Sequence, residues 1–270
     1  MTPCPRSYLF VPADRPQRIA KALACGADAV IVDLEDAVAP QARDAARAAL
    51  SGWLAAAPAG ARVIVRVNAA GSAGFEADLG LCAAPAVAAV MLPKAGEHDG
   101  LARLRRALPH KDIIALVETA EGFDRLREVA RAPGVVRLAF GTVDFQFDLG
   151  IRGDDEALLH FRSRFVLESR LARIAAPVDG VTTSFDDAAR VAGDARRARD
   201  LGFGAKLCIH PRQVDAVHAG FTPSEAELDW ARRVVAAMAD AGGAAVAVDG
   251  RMVDHPVLLR AEALLRQRPD

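Results

Sequence analysis

The sequence predicts a (β/α)₈ barrel, in which eight parallel strands alternate with helices. Short apolar runs typical of buried parallel strands alternate eight times with helix-like segments over roughly 210 residues, the usual size of such a barrel. Polar residues follow most of these runs directly, where this fold places its binding groups. An open, doubly wound sheet is the structural alternative, and it fits less well because no Gly-rich dinucleotide-type turn follows the first strand.

The composition is that of a soluble globular protein. Of the 270 residues, 52% are hydrophobic and 26% are charged, and the net charge is −1. A nucleic-acid or anionic-membrane partner would usually leave a basic excess, which is absent here. The cysteines are scattered, as is typical of reduced thiols. No apolar run reaches the length of a membrane span and no signal-peptide pattern opens the chain, so we expect a cytoplasmic protein.

The first six predicted strands lie within the first 140 residues of the chain. Each is an apolar, often β-branched run that ends at a proline, a glycine or a polar residue. The strands are Ser7–Pro12, Ala29–Asp36, Arg62–Asn68, Val87–Lys94, Ile113–Val117 and Val136–Phe140. The helical periodicity between them predicts helices over Arg15–Cys25, Pro40–Leu54, Phe75–Cys82, Gly100–Leu108 and Phe123–Arg131.

The carboxyl-terminal half is predicted to complete the barrel and to add a short extension. A long helix over Glu156–Ala175 precedes a weak seventh strand, Gly180–Thr183, and the eighth strand covers Ala205–His210. The other helices are predicted over Phe185–Leu201, Val214–Ala219 and Ser224–Ala241. Residues 1–243 therefore form the predicted barrel. Residues 244–270 lie outside the eightfold pattern and form a C-terminal extension.

Polar side chains gather at the predicted carboxyl ends of the strands, which converge on one mouth of a barrel. They are Asp33, Glu35, Asp36, Arg66, Asn68, Lys94, Glu118, Asp144 and His210, while Arg6 precedes its strand. Asp36 is equally well explained as a helix cap, whereas the helix after Glu118 already has Thr119 as a cap candidate. We expect His210, which precedes a proline, to hydrogen-bond backbone.

Two of these carboxylates, Glu118 and Asp144, follow neighbouring strands and can share one hard cation. Such a pair suits Mg²⁺, which takes few protein ligands and several waters, whereas zinc is disfavoured because the sequence has no His/Cys cluster. Arg66 lies within an apolar strand and therefore needs a partner. Two interpretations of it carry equal weight, an ion pair with Asp33 or Glu35 and a bidentate clamp on a substrate carboxylate.

Together these motifs resemble one known family. In chain order they are Arg6–Pro12, Asp33–Val38, Val65–Asn68, Leu92–Lys94, Val117–Thr119, Phe140–Asp144, Ile209–Val214 and Gly250–Asp254. Each motif alone is weak, but in this order they resemble the citrate lyase β-subunit-like branch of the HpcH/HpaI aldolase family, which includes malyl-CoA and citramalyl-CoA lyases. The chain has Ala13 where that family usually has glycine, and Arg251 where it usually has lysine.

The resemblance implies a TIM barrel that binds Mg²⁺ and a CoA thioester. It assigns the metal to Glu118 and Asp144, and it assigns the carbonyl or carboxylate of the keto acid to Arg66, which is expected to take part in catalysis. Supporting roles around the metal and Arg66 are implied for Asp33, Glu35 and Asp36, the last two through metal-bound waters. Further substrate-binding residues are expected to be Arg6 and Lys94.

The same resemblance implies that the C-terminal extension works in a neighbouring subunit. The family delivers an aspartate from this extension to the next active site, and Asp254 matches that position as a catalytic residue. A homo-oligomer, a trimer or a dimer of trimers, is therefore expected. The extension would explain why residues 244–270 lie outside the barrel.

The expected reaction is Mg²⁺-dependent cleavage of a β-hydroxyacyl-CoA, of the citramalyl-CoA or malyl-CoA type, into acetyl-CoA and a 2-keto acid. Three alternatives stay open. The same scaffold can hydrolyse the thioester, as a malyl-CoA-type thioesterase does. It can serve as a citrate lyase β subunit, acting on a substrate held by an acyl-carrier protein. It can also be a barrel that binds CoA without catalysis, although the intact set of Arg66, Glu118, Asp144 and Asp254 speaks against this.

Overall fold

The computed structural model describes residues 4–266 and contains a closed barrel of eight parallel strands in the order β1 to β8. Pairing of Ser7 in the first strand with Lys206 in the eighth closes the barrel. The predicted (β/α)₈ fold is confirmed. The strands are β1 (Ser7–Pro12), β2 (Ala29–Asp33), β3 (Val63–Arg66), β4 (Val87–Leu92), β5 (Asp112–Val117), β6 (Val135–Phe140), β7 (Ala175–Asp179) and β8 (Ala205–Cys208).

Helices connect successive strands, as the alternating pattern predicts. No helix within residues 4–266 has the length and apolar character needed to cross a membrane. The helices of this part of the chain are α1 (Gln17–Ala24), α2 (Arg43–Ala55), α3 (Phe75–Cys82), α4 (Gly100–Ala107), α5 (Ala120–Asp124), α6 (Leu126–Arg131), α7 (Thr142–Leu149), α8 (Leu159–Ala172), α9 (Ala188–Leu201), α10 (Val214–Phe221), α11 (Glu225–Asp240) and α12 (His255–Arg266).

Alternate residues of each strand point into the barrel and fill it. The interior cluster consists of Tyr8, Ile31, Ile64, Ala89, Met91, Ile114, Leu116, Ala139, Val178, Ala205 and Leu207. The two-residue period of a strand continues this inward side to its carboxyl end. Asp33 follows Ile31 and Arg66 follows Ile64 on that side, so the barrel interior changes from apolar to charged at its mouth.

The seventh strand lies earlier than predicted. Its assignment to Gly180–Thr183, after a helix reaching Ala175, was wrong, because α8 ends at Ala172 and β7 begins at Ala175. Arg173 adopts a left-handed φ of 59° that ends α8. The start of β7, Ala-Ala-Pro, carries no strand pattern, and Asp179 at its end is held by the buried Arg162, with Nε 2.8 Å from Oδ1. The local sequence of β7 therefore does not identify it as a strand, and its end is held by the ion pair between Arg162 and Asp179.

One further helix differs from the prediction. The segment Phe123–Arg131 was predicted as a single helix, and the structure contains two, α5 and α6, with Arg125 between them outside helical geometry. The start of α5 is as expected, since Thr119 Oγ1 accepts a hydrogen bond from Gly122 N and caps the helix. Capping satisfies an amide that the first helical turn leaves without a partner.

A second compact unit begins at Ala219, after the first ends at His218. It contains α11, α12 and a hairpin of β9 (Val246–Val248) and β10 (Arg251–Val253), whose turn residues Asp249 and Gly250 both have positive φ. Its own core consists of Ala231, Val234, Met238, Val248, Val253 and Ala261. Because its apolar face contributes to this core, α11 groups with the C-terminal segment, whereas the sequence predicts a barrel that extends to residue 243.

Candidate active site

Seven charged side chains lie at the carboxyl-terminal mouth of the barrel, where the sequence predicts the site. They end or follow strands β2 to β6 and are Asp33, Glu35, Asp36, Arg66, Lys94, Glu118 and Asp144. Asp144 lies in the first turn of α7, just after β6. Five of the seven are carboxylates and two are cations, so their formal charges leave an excess of three negative charges in a small volume.

Arg66 is held in place by several neighbours in this group. Its guanidinium donates to both carboxylate oxygens of Asp33, with Nε 2.7 Å from Oδ1 and Nη2 2.6 Å from Oδ2. The guanidinium also lies over the ring of Phe10, 4.8 Å from the ring centroid. Burial by itself would lower the pKa of Arg66, but its bonds to Asp33 raise that pKa above the ordinary value. Arg66 is therefore held as a fixed cation.

The third guanidinium nitrogen of Arg66 faces the other carboxylates. Nη1 lies 3.2 Å from Glu35 Oε2 and 3.1 Å from Asp36 Oδ2. The predicted ion pair of Arg66 with Asp33 or Glu35 is thus present with both, and the substrate clamp stays a prediction. Asp36 is not a helix cap, since the helical turn that follows begins after Ala39. Asp33 instead fixes this loop by accepting from the amides of Glu35 and Ala37.

Glu118 is buried at the end of β5 and is held by its neighbours. Its Oε1 accepts from the backbone amide of Lys94 at 3.1 Å, and Lys94 Nζ lies 3.7 Å away. Gly141 makes room for it on the other side, because a Cβ on that residue would lie 2.5 Å from Glu118 Oε2. Only glycine leaves this space, so the turn after β6 is shaped around the carboxylate.

Lys94 sits between two buried carboxylates of the mouth, Glu35 and Glu118. Its Nζ lies 3.2 Å from Glu35 Oε1, in addition to the contact with Glu118. Burial alone would lower the pKa of Lys94, but the charges of Glu35 and Glu118 raise it. The residue adopts a left-handed φ of 48°, which is uncommon for a side chain of this kind and directs its amide toward Glu118. This loop conformation has no signature in the sequence.

The negative excess perturbs the carboxylates themselves. Burial raises the pKa of Glu118, and the charge of Glu35 raises it further. Burial likewise raises the pKa of Glu35. The pKa of Asp144 is also raised, first by burial and then by the charge of Asp36. Arg66 and Lys94 therefore do not neutralise the site, and a bound cation would relieve the repulsion.

The donor set fits a hard divalent cation. Glu118 and Asp144 supply carboxylate oxygens from neighbouring strands, and Glu35 Oε2 is a buried acceptor that has no hydrogen-bond partner within residues 4–266. In that part of the chain no three Asp, Glu, His or Cys side chains are grouped closely enough to hold one ion. A cation here would have two protein ligands and complete its shell with water, which is the usual pattern for Mg²⁺.

Comparison with known proteins identifies the family. A model of the family described as HpcH/HpaI aldolase/citrate lyase matches residues 6–211. The chain belongs to that family. The match spans all eight strands of the barrel and every charged residue of the mouth, so the family and the candidate site coincide on the same part of the chain.

Several members of the HpcH/HpaI family resemble the chain over nearly its full length. A citrate lyase subunit beta-like protein of Mycobacterium tuberculosis is 41% identical, with 96% of this chain and 94% of that protein covered. A (3S)-malyl-CoA thioesterase of Cereibacter sphaeroides is 33% identical, with 96% and 93% covered. The crystal structure of protein CitE from M. tuberculosis in complex with magnesium, acetoacetate and coenzyme A superposes with a TM-score of 0.87 at 38% identity, covering 99% of both chains.

Arg6, predicted to bind substrate, does not lie with the other site residues. It precedes β1 at the amino-terminal end of the barrel, where its Nε lies 3.1 Å from Asp28 Oδ2, and Asp28 precedes β2. The interior of the barrel separates this end from the mouth. The ion pair with Asp28 balances the charge of Arg6. In (β/α)₈ barrels the active site lies at the opposite, carboxyl-terminal end.

Asp254 lies in the second unit, between β10 and α12. Its Oδ1 accepts from the amide of Val257 at 3.3 Å, so the carboxylate caps the first turn of α12. Its assignment to catalysis stays a prediction.

One sequence prediction remains to be compared with the structure, that for His210. Three further residues near the ends of the strands are described with it. His210 bonds backbone as expected, with Nδ1 accepting from Arg212 N. Cys208 is buried in β8, and burial raises its pKa to about 12, so its thiol is not a nucleophile. Phe10 contacts Arg66 and Gly141 adjoins Glu118, so both shape the site. Neither residue was predicted from the sequence to have a functional role. The inward period of β1 could have indicated Phe10, and the position directly after β6 could have indicated Gly141.

Proposed function

We propose that this protein is a Mg²⁺-dependent acyl-CoA carbon–carbon lyase. Its substrate would be a β-hydroxyacyl-CoA of the citramalyl-CoA or malyl-CoA type, cleaved to acetyl-CoA and a 2-keto acid. The observation that carries the proposal is that the carboxylates Glu118 and Asp144 and the fixed cation Arg66 lie close enough at the barrel mouth for their charges to act on one another. The family supports it, since relatives are named citrate lyase subunit beta-like protein.

Glu118 and Asp144 are proposed as the metal ligands, with Glu35 and Asp36 bonded to the waters that complete the shell. Their raised pKa values and negative excess support this assignment. The CitE protein of M. tuberculosis was crystallised with magnesium and, in separate complexes, with acetoacetate, pyruvate and acetate. Bound Mg²⁺ would supply Lewis-acid polarisation of an oxygen on the keto-acid fragment.

The protein's own residues would supply orientation and charge. The reaction breaks the bond between the hydroxyl-bearing carbon and the carbon next to the thioester, so the hydroxyl must lose a proton. Arg66, held by Asp33, would bind the neighbouring carboxylate through Nη1 and fix the reacting bond. Lys94 would sit beside the carboxylates without forming a Schiff base, as its raised pKa keeps it protonated. It could then contact the substrate through its ammonium.

Asp254 is proposed to act in the mouth of a neighbouring copy, in a trimer or a dimer of trimers, where it would protonate the leaving carbon. Asp254→Asn retains a good capping residue and removes only the charge, so it should fold normally and bind Mg²⁺ normally while losing about 10²-fold in turnover. Mixing this variant with the impaired Arg66→Lys protein should give more activity than either variant alone, because some sites would then combine intact residues from two copies. Normal turnover of Asp254→Asn would remove the extension from the chemistry.

Thioester hydrolysis is the second candidate. It is favoured by the 33% identical relative named (3S)-malyl-CoA thioesterase, and a metal, an arginine and an aspartate can serve both reactions. A role as citrate lyase β subunit with an acyl-carrier protein is supported by a 29% identical relative of that name from Leuconostoc mesenteroides. The C-terminal extension with Asp254 favours free CoA esters over a carrier protein.

Product analysis separates these candidates. Purified protein would receive racemic citramalyl-CoA and malyl-CoA, with Mg²⁺ and with a chelator, and the products would be identified by mass spectrometry. We expect acetyl-CoA together with pyruvate or glyoxylate, and loss of both on chelation. Free CoA with intact hydroxy acid would establish the thioesterase instead. Absence of both product sets, with turnover of the same acids on an acyl-carrier protein, would establish the citrate lyase subunit.

A further inference from the structure

Three charged side chains are buried beside the barrel mouth and have no part in the proposed chemistry. They are Arg162 of α8, Asp179 at the end of β7 and Lys206 of β8, and each is at most 2% exposed. The neighbours of Lys206 in β8, Ala205 and Leu207, point into the barrel, so Lys206 lies on the outer side of the strand, toward the helices. A charge kept away from water needs partners, and these partners show what Lys206 holds in place.

Lys206 binds the backbone after β7 more closely than it binds the carboxylate of Asp179. Its Nζ donates to the carbonyl oxygen of Gly180 at 2.6 Å, whereas Asp179 Oδ2 is 3.5 Å away. Asp179 has a shorter bond to another cation, because Nε of Arg162 donates to its Oδ1 at 2.8 Å. The carboxylate therefore keeps a partner without Lys206. The ammonium group of Lys206 mainly fixes the point at which the chain leaves β7.

The loop that begins at Gly180 is held at further points along its length. The buried side chain of Gln213, which follows β8, donates from Nε2 to Thr182 O at 2.7 Å and to Ser184 O at 3.2 Å. The hydroxyl of Thr182 donates to Oδ2 of Asp194 in α9 at 2.7 Å. Hydrogen bonds from three elements thus fix this loop, so it can serve as a firm support for its neighbours.

Gly180 packs against Thr142, the first residue of α7. A Cβ on Gly180 would lie 2.1 Å from Thr142 Oγ1 and 2.6 Å from Thr142 Cγ2, so only glycine lets the two segments approach this closely. Thr142 is buried in this contact. Asp144, a proposed metal ligand, lies in the same first turn of α7. A shift of Thr142 would therefore move Asp144 as well.

The start of α7 is confined on two sides. This helix follows β6, which lies between β5 and β7 in the barrel. On the side of β5, Gly141 approaches Glu118 so closely that a Cβ on it would lie 2.5 Å from Glu118 Oε2. On the side of β7, Thr142 meets Gly180. The separation of Glu118 and Asp144 therefore depends on two contacts that leave no room for a side chain on the glycine.

We propose that Lys206 is a positioning residue for the metal ligand Asp144 and acts through Gly180 and Thr142. This inference rests on the metal site of the proposed function, but it does not depend on which reaction that site serves. Mg²⁺ requires nearly ideal octahedral geometry, so its ligands must be held by the groups around them. Lys206 supplies such support from the outer side of the strands, where the sequence shows only a lysine within an apolar run.

The Mg²⁺ affinity of the folded protein, measured by calorimetry, tests this role. One variant is Lys206→Met, which keeps an unbranched side chain and removes the donor to Gly180 O. Another is Thr142→Ala, which removes the side-chain atoms that meet Gly180, and a third combines both changes. Each single variant should bind Mg²⁺ about tenfold more weakly than the wild type. The double variant should also lose about tenfold and not about a hundredfold, because both changes act through the same contact.

The direction of the change separates positioning from an effect of charge. Removal of a positive charge by itself favours the binding of a cation, so weaker binding by Lys206→Met has to come from displaced ligands. Arg137→Met is the matched control, because Arg137 is also a buried cation of the barrel and its partners are Pro5, Tyr8 and Ala176. This control should bind Mg²⁺ no more weakly than the wild type does.

The outcomes separate this inference from the proposed reaction. Tenfold weaker Mg²⁺ binding by the two single variants and the double variant supports it even when the wild type forms no lyase products, and then only the reaction fails. Unchanged affinity in folded Lys206→Met overturns the inference, as does a hundredfold loss in the double variant or an equal loss in Arg137→Met. If Lys206→Met does not fold, unchanged affinity in Thr142→Ala overturns it. A wild type that binds no Mg²⁺ overturns it together with the metal assignment.

Discussion

Arg66 and Arg137 are both buried, yet they lie near opposite ends of the barrel and have opposite surroundings. Arg66, at the mouth, contacts the carboxylates of Asp33, Glu35 and Asp36. Arg137, near the amino-terminal end of β6, is bonded to neutral acceptors. Its Nε donates to Ala176 O at 2.6 Å, and its Nη1 donates to Pro5 O at 2.8 Å and to the Tyr8 hydroxyl at 2.9 Å.

The difference indicates that the amino-terminal end of the barrel stabilises the fold, whereas the mouth serves function. The hydrogen bonds of Arg137 join three segments of chain, so this guanidinium closes the amino-terminal end and stabilises the fold. Around Arg66 the carboxylates outnumber the cations, and burial raises the pKa of Glu118 and Glu35. An arrangement that disfavours its own charges reduces stability, and such sites are typical of function. The predictions below test this contrast.

The largest effect is expected from the proposed metal ligands. Asp144→Asn and Glu118→Gln should each lower Mg²⁺-dependent turnover by about 10³-fold, because one ligand charge is lost in each. Without Mg²⁺, Glu118→Gln should raise the free energy of unfolding by about 1–3 kcal/mol, since it removes an acid whose ionised form is disfavoured by burial and by the charge of Glu35. Turnover, calorimetric Mg²⁺ affinity and urea unfolding measure the three quantities. Unchanged turnover in Asp144→Asn would remove the metal assignment.

Arg66→Lys is expected to have the next largest effect. Lysine keeps the charge but cannot make the paired bonds to Asp33 while presenting a second nitrogen to the mouth. We expect about a 10²-fold loss of kcat/KM, as for a misplaced binding group. The free energy of unfolding should change much less than in the Arg137 variant below. Wild-type kcat/KM would make Arg66 a structural residue like Arg137.

Arg137→Met should show the reverse pattern. Carbonyl oxygens of Pro5 and Ala176 and the hydroxyl of Tyr8 would lose their donor inside the barrel. We expect the free energy of unfolding to fall by about 3 kcal/mol, while kcat per folded molecule stays near the wild-type value. Urea unfolding and active-site-normalised kinetics measure both quantities. A loss of kcat with unchanged stability would contradict the assigned role.

The pH dependence of stability should differ between the Mg²⁺-free and Mg²⁺-bound protein. Burial raises the pKa of Glu35 to about 7 and that of Glu118 to about 8. The folded state then holds protons that the unfolded state has released, so the free energy of unfolding should fall as the pH rises from about 5 to about 8. Mg²⁺ should flatten this slope, and Glu118→Gln should reduce it. Equal slopes in Glu118→Gln and wild type, measured by urea unfolding, would contradict the raised pKa of Glu118.

The smallest effect is expected at Arg6. Its partner Asp28 is partly exposed, and exposed ion pairs contribute little. Arg6→Gln should leave kcat/KM unchanged and alter the free energy of unfolding by less than about 0.5 kcal/mol. A clear rise in KM would place Arg6 back among the substrate-binding residues and would weaken the contrast between the two ends of the barrel.

The fold was predictable wherever the sequence of a strand is itself an apolar run typical of a buried parallel strand. Runs such as Ile113–Val117 are apolar on both faces, and their alternation with helices specifies the barrel. The failure at β7 has a physical cause, since Ala-Ala-Pro favours no strand and the carboxyl end of β7 is held by the Arg162–Asp179 ion pair. The sequence places the end of the barrel at residue 243, whereas the second compact unit begins at Ala219. α11 has an ordinary amphipathic pattern, which does not reveal the surface it packs against.

The site was predictable as a set of residues but not as a set of bonds. Strand ends converge, so Glu118, Asp144 and Arg66 could be grouped before any coordinates. The pairing of Arg66 with Asp33 was one of two open interpretations, because the sequence does not show which carboxylate lies within reach. The left-handed Lys94 and its amide bond to Glu118 depend on contacts between two loops, which no local pattern encodes. Arg6 was included through the family resemblance, although the sequence already places it before its strand and not after it.

Gly141 offers a way to recognise this site in other chains. A side chain at this position would occupy the space of the Glu118 carboxylate, 2.5 Å from its Oε2. A related barrel that carries alanine or a larger residue directly after its sixth strand must therefore have moved or lost the acid after its fifth. The residues at the positions of Glu118 and Gly141, considered together, would distinguish relatives that keep the carboxylate pair from relatives with a different site. Gly141 is thus as diagnostic of this site as Glu118 beside it.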